Sequence, residues 1–148
     1  MDNKELEKKC DEKGKKIFEE CLKQYHCPIY FIPFEYSKVD CYFGKHSVGE
    51  IKYRQKEYPT YICEENKVYS LLNDDKPYQF YIVVFDNVIY LWNVQTILTN
   101  YRLQVWDLPT DLSKEEIIRK PIYLLKTEDC DFVFKKIDDK WHLEKMVL

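Results

Sequence analysis

The sequence predicts an α/β protein with a core running helix, three strands, helix, two strands, followed by a β-rich C-terminal extension. Three observations carry that prediction. An apolar stripe at helical spacing opens the chain, a series of short alternating or continuous apolar runs follows it, and a strong hairpin dipeptide, Asp86-Asn87, joins two of the most apolar runs. The composition suits one folded domain: 45% of the 148 residues are apolar, and 13 Tyr, 8 Phe and 3 Trp give them enough bulk to fill a core.

The elements follow in order. Residues 2 to 25 are rich in strong helix formers, and Ile17, Phe18, Cys21, Leu22 and Tyr25 lie on one face of a helix that ends at His26-Cys27-Pro28. Ile29 to Ile32 is a short apolar strand stopped by Pro33, and Tyr36 to Phe43 and His46 to Arg54 are two more strands. After Pro59 the spacing of Tyr61, Ile62, Val68, Leu71 and Leu72 predicts a helix from about Thr60 to Leu72, terminated by Asn73-Asp74-Asp75-Lys76-Pro77. Tyr78 to Phe85 and Val88 to Trp92 then pair around Asp86-Asn87. Residues 1–98 thus make the α/β core. Residues 99–148 make the extension, packed on the same domain, with strands expected at Tyr101 to Trp106, Pro121 to Lys126, Cys130 to Ile137 and Trp141 to Val147. Ser113-Lys114-Glu115-Glu116 supplies a cap for a short helical turn.

Charge and cysteine usage narrow the function classes. Lys and Arg number 23 against 26 Asp and Glu, a formal charge of -3, so no global basic field draws the chain to nucleic acid nonspecifically. A metal-dependent nuclease survives that test, because its acidic ligands depress the net charge and the ion restores positive potential where phosphate binds. The six cysteines contain no C-x-x-C pair and follow no signal-like apolar run, which predicts free thiols and a cytoplasmic location. Cys21, His26 and Cys27 lack zinc-ligand spacing and read as ordinary packing residues. No stretch reaches the ~20 apolar residues of a membrane span.

The chemistry-bearing pattern is Asp40, nine residues, then Glu50-Ile51-Lys52. Side chains alternate along a strand, so Glu50 and Lys52 share one face while Ile51 points into a core. A hairpin turning near Phe43-Gly44-Lys45-His46 brings Asp40 beside Glu50 on that face. Two adjacent carboxylates repel unless a cation joins them, and an Asp/Glu pair with an open position suits Mg²⁺ or Mn²⁺. The plainer alternative is a solvated sheet face on which Lys52 makes cross-strand ion pairs of about 0.2 to 1 kcal/mol.

With its flanking helices, this motif resembles that of the PD-(D/E)XK nuclease superfamily, which includes restriction endonucleases and Holliday-junction resolvases; Tyr53-Arg54 is similar to the tail seen after the motif in resolvase-like members. The likeness covers residues 10 to 92. It departs from the family pattern at Val39, where the name has Pro, and in the second helix, which offers Asn66 and Lys67 in place of a Gln. The resemblance implies a restriction-endonuclease-like core in which Asp40, Glu50 and the backbone carbonyl of Ile51 hold Mg²⁺ or Mn²⁺, Lys52 positions the attacking water, and a first-helix carboxylate completes the catalytic set. Glu19 is the choice for that carboxylate, with Glu20 flanking the same stripe almost equally. DNA is the implied partner, contacted by Lys38, Lys45, Arg54, Lys56 and Lys67, and a homodimer is implied by analogy with enzymes that cut two strands. The competing expectation is a noncatalytic protein of the same fold, acting as a protein-interaction or nucleic-acid-binding module.

Overall fold

A computed structural model describes residues 2–34, 37–109 and 116–147. Helix α1 (Asn3–Gln24) begins where the Asp2 carboxylate accepts the Glu5 N–H at 2.8 Å. Strands β1 (Ile29–Phe31), β2 (Cys41–Phe43) and β3 (Ser47–Tyr53) form an antiparallel meander. Strand β4 (Thr60–Glu64) leads directly into α2 (Glu65–Leu72), and β5 (Tyr78–Val84) then returns parallel to β3. Strand β6 (Val88–Asn93) pairs antiparallel with β5 around Asp86-Asn87 and leads into α3 (Val94–Asn100). The chain continues through β7 (Gln104–Pro109), β8 (Ile117–Lys126), β9 (Phe132–Ile137) and β10 (Lys140–Met146).

These strands make two sheets. The larger has seven strands in the order β1-β2-β3-β5-β6-β9-β10, and the smaller has the order β4-β8-β7. The strict alternation of side chains on β3 divides the core. Ile51 and Tyr53 pack with Phe18, Cys21 and Leu22 of α1 on one face, while Val48 joins Tyr61, Cys63, Val68, Leu71, Val94 and Leu125 on the other. The protein is therefore mixed α/β, with α1 covering one face of the large sheet and α2, α3 and the small sheet covering the other.

Four expectations need correction. The stretch Thr60 to Leu72 is a strand followed by a helix, because Tyr61 and Cys63 alternate into the core and pair with Leu125 and Tyr123 of β8, partners that helical spacing cannot anticipate. The strand expected from Tyr36 shrinks to Cys41–Phe43, with residues 35 and 36 outside the described part. Helix α3 was not expected; Asn93 caps it by accepting the Gln95 N–H at 2.9 Å. The strand placed at Tyr101 to Trp106 lies at Gln104–Pro109. The expected cap at 113–116 falls largely outside the described residues. Ladders β4 with β8 and β6 with β9 cross from residues 1–98 into 99–148, so the extension completes both sheets. Among the described residues no helix is long and apolar enough to cross a membrane.

Candidate functional site

The site forms where β2 and β3 part. Their ladder pairs Phe43 with Ser47, Tyr42 with Val48 and Cys41 with Gly49, so continuing the register sets Asp40 opposite Glu50 on one face of the sheet. The Asp40 N–H still donates to the Gly49 carbonyl at 3.0 Å. Beyond that point the main-chain ladder ends, and the Asp40 carboxylate substitutes for it: Oδ2 accepts the Ile51 N–H at 2.7 Å. Asp40 is thereby fixed at the strand split, and the Ile51 carbonyl projects to the same strand edge as its N–H.

Glu50 is one of only two buried charged or polar side chains among the described residues, with 4% of its surface exposed. Its Oε1 lies 3.1 Å from Lys67 Nζ of α2 and 3.7 Å from Lys52 Nζ on its own strand. Burial pushes the Glu50 carboxyl up to about 7, and repulsion from Asp40 adds to the rise; the ammonium groups of Lys67 and Lys52 oppose both. Lys67 is itself held charged: burial works against its ammonium, but Glu50, Asp40 and Glu64 more than offset that cost. The result is a crowded group of two carboxylates and two amines, with Glu50 buried and, among the described residues, without a neutral hydrogen-bond donor.

The carboxylate that α1 brings to this group is Asp11. Partial burial raises its carboxyl, Lys52 lowers it and Asp40 raises it, the pattern of a group sharing one electrostatic neighbourhood with both motif strands. A cavity of about 610 Å³ opens beside this group, lined by Cys10 and Asp11 of α1, Lys52 and Arg54 at the end of β3, and Lys67 of α2, with Asp40 and Glu50 behind its wall residues rather than on its lining. Glu19 lies elsewhere. It pairs with Lys23 at 3.5 Å on a surface groove of α1, and Glu20 pairs with Lys136 at 3.4 Å. Glu19 is eight residues from Asp11, roughly 12 Å along the helix axis. A sequence signal did exist for Asp11. Gly14 is the sole glycine of α1, and a Cβ there would meet the Tyr53 Cβ at 3.0 Å, so it marks where the helix crosses β3; Asp11 sits one turn away on the same side.

Of the five basic residues expected to meet DNA, Arg54 and Lys67 line the cavity. Lys38 and Lys45 are exposed outside it, Lys45 in the β2–β3 turn roughly 15 Å from Glu50 along the strand. Lys56 lies over the Tyr58 ring, 5.5 Å from its centroid. Lys120, from β8, was missed: it lines the cavity and donates to Glu64 Oε1 at 2.9 Å. Among the described residues no three His, Cys, Asp or Glu side chains converge into a ready metal cage. All six cysteines are free thiols. Compared with protein-family models, with curated proteins and with solved structures, the chain matches none.

Proposed function

We propose that the chain is a metal-dependent nuclease of PD-(D/E)XK type that hydrolyses DNA phosphodiester bonds at Asp40, Glu50 and Lys52. The observation that carries this reading is the placement of Asp40 opposite a buried Glu50 at the point where two strands separate, with Lys52 on the same face. The order helix, three-strand meander, helix, strand parallel to β3 supports it, with β4 as an added segment before the second helix.

The donor set suits Mg²⁺ or Mn²⁺: Asp40 retains Oδ1 and Glu50 its Oε2, while Oε1 faces the two ammonium groups, and the Ile51 carbonyl shares the edge. Two carboxylates with a main-chain carbonyl leave coordination positions for water and phosphate. A cation bound there would acidify a water and neutralise charge on the phosphate. The chain's own contribution is positional. Lys52 is aimed at the Glu50 carboxylate, its Nζ 3.7 Å from Oε1, so it is in place to orient a water and to stabilise the charge that develops on the phosphoryl oxygens. Asp40 is immobilised by the Ile51 N–H, Asp11 adds negative charge at the mouth, and Arg54 and Lys67 supply contacts to phosphates on either side of the reacting one. The reading requires no second copy of the chain.

The second reading, a noncatalytic module, is favoured by the ammonium of Lys67 already 3.1 Å from Glu50, which neutralises the buried carboxylate without a metal. A cleavage assay on plasmid, branched and single-stranded DNA with Mg²⁺, with Mn²⁺ and with EDTA separates the two. Metal-dependent cutting by the wild type that disappears in Asp40→Ala supports the nuclease; no cutting under any condition, or cutting unchanged by the substitution, rejects the assignment.

A further inference from the structure

We infer that the substrate of this cleft is an unpaired DNA strand, gripped against the β7–β8 ribbon; the inference rests on the nuclease reading and assigns its substrate class. The cleft has two opposed walls. Cys10 and Asp11 of α1 stand on one side, and Leu108 of β7 and Lys120 of β8 on the other, so the same 610 Å³ cavity touches both. A volume of that size takes a group of nucleotide dimensions and does not take a double helix. A phosphate drawn in beside Lys52 and Lys67, which line the same cavity, fits between these walls as part of an extended, separated strand.

The ribbon face that looks into the cleft carries the groups such a strand needs. In the β7–β8 ladder Trp106 is paired with Lys120 and Leu108 with Ile118, and cross-strand partners share a face. Lys120 and Leu108 line the cavity, which places Trp106 and Ile118 on the cleft side beside them. Trp106 is 36% exposed and Ile118 39%, on a ribbon whose outer strand β7 is a sheet edge. The Trp106 indole N–H donates to Gln104 Oε1 at 3.0 Å, a residue two positions away on the same face, so the partly exposed ring is tethered at its edge. The other side of the ribbon is occupied by the Arg119–Asp107 pair at 3.5 Å.

An aromatic surface next to a line of cations is the arrangement by which single strands are held without sequence preference, bases stacking on the ring while the backbone follows the charges. Lys120, Lys67, Lys52 and Arg54 supply those charges. The carboxylates of Glu7, Asp11 and Glu64 on the same walls disfavour an anion that lacks a metal or a stacking contact to hold it. Trp106 is thus a substrate-positioning residue, outside the reacting atoms.

The test is fluorescence anisotropy in Ca²⁺, which supports phosphate contact without cutting, using labelled oligo-dT, a blunt duplex and a duplex with a single-stranded flap. The wild type is expected to bind oligo-dT and the flap about tenfold or more tighter than the blunt duplex. Trp106→Ala is expected to remove that preference and Trp106→Phe to restore most of it, with unchanged thermal unfolding, since the side chain lies on an exposed ribbon. Asp40→Ala is expected to lose cutting and to bind every DNA more weakly while keeping the wild-type ratio of oligo-dT to blunt-duplex affinity, so loss of cutting and loss of strand selection are separate readouts. Equal or tighter binding of the blunt duplex, or a preference untouched in Trp106→Ala, overturns the inference even if the protein cuts DNA. Strand-selective binding without cutting retains this surface and rejects the nuclease reading instead.

Discussion

Two side chains, Glu50 and Asp131, are the buried charged or polar residues of the described structure, at 4% and 8% exposure, and they are buried in opposite ways. Asp131 is fully employed. Its Oδ2 accepts the Asn93 N–H at 2.7 Å and its Oδ1 accepts the Thr96 hydroxyl at 2.8 Å, so the carboxylate anchors the start of α3 and ties β9 to it. Glu50 has no backbone or hydroxyl donor among the described hydrogen bonds; its neighbours are two ammonium groups and a second carboxylate, and burial raises its proton affinity. A buried charge satisfied by neutral donors is a structural device, whereas one left to face other charges costs stability and is retained where it does chemistry.

The largest effect that can break this contrast is on activity. Glu50→Gln keeps the shape of the side chain and removes the charge a cation needs, so metal-dependent cleavage should fall by about a thousandfold. Asp131→Asn should leave the cleavage rate per folded molecule within about threefold, since its carboxylate touches only Asn93 and Thr96. Single-turnover kinetics of the two variants side by side checks both outcomes, and equal losses would erase the distinction.

Stability should invert the order. Asp131→Ala leaves the Asn93 N–H and the Thr96 hydroxyl without their acceptor and should cost about 3 kcal/mol in urea unfolding. Glu50→Gln should cost far less, because it removes a carboxylate that the fold holds in its less comfortable, charged form. A loss in Glu50→Gln as large as that in Asp131→Ala would place Glu50 among the structural residues.

A smaller effect, in metal-free buffer, sharpens the same point. The folded-state carboxyl of Glu50 is raised from an ordinary 4.5 to about 7, so the folded protein binds that proton more tightly than the unfolded chain does. The associated stability is fully present below pH 4.5 and is lost as pH rises through 7. Thermal unfolding of the wild type should therefore fall relative to Glu50→Gln between pH 5 and pH 7.5, and parallel curves for the two proteins would remove the basis for calling Glu50 strained.

The contrast also shows what was legible in the sequence. The turn at Gly44 to His46 and period-two alternation were enough to set Asp40 against Glu50 and to put Lys52 on their face, because hairpin register is a local property. The α1 stripe of Phe18, Cys21 and Leu22 was readable for the same reason. What failed depended on distant partners. Thr60–Glu64 became a strand because β8, about sixty residues later, supplies its ladder, and Lys120 entered the cleft on that same strand. Glu19 borders the apolar stripe, which is what recommended it, but the stripe covers the opposite sheet face, and the crossing point at Gly14 selects Asp11. Asp131, the last of three acids in Glu128-Asp129-Cys130-Asp131, carried no pattern that distinguishes it from a surface residue.

The central claim is that Asp40 and Glu50 jointly receive a divalent cation. Calorimetric titration of Mn²⁺ into chelator-treated protein tests it most directly: the wild type should take up the ion with a saturating heat signal that is absent in Asp40→Asn and in Glu50→Gln while persisting in Asp131→Asn. No binding by the wild type, or the same isotherm in all four proteins, would contradict the account.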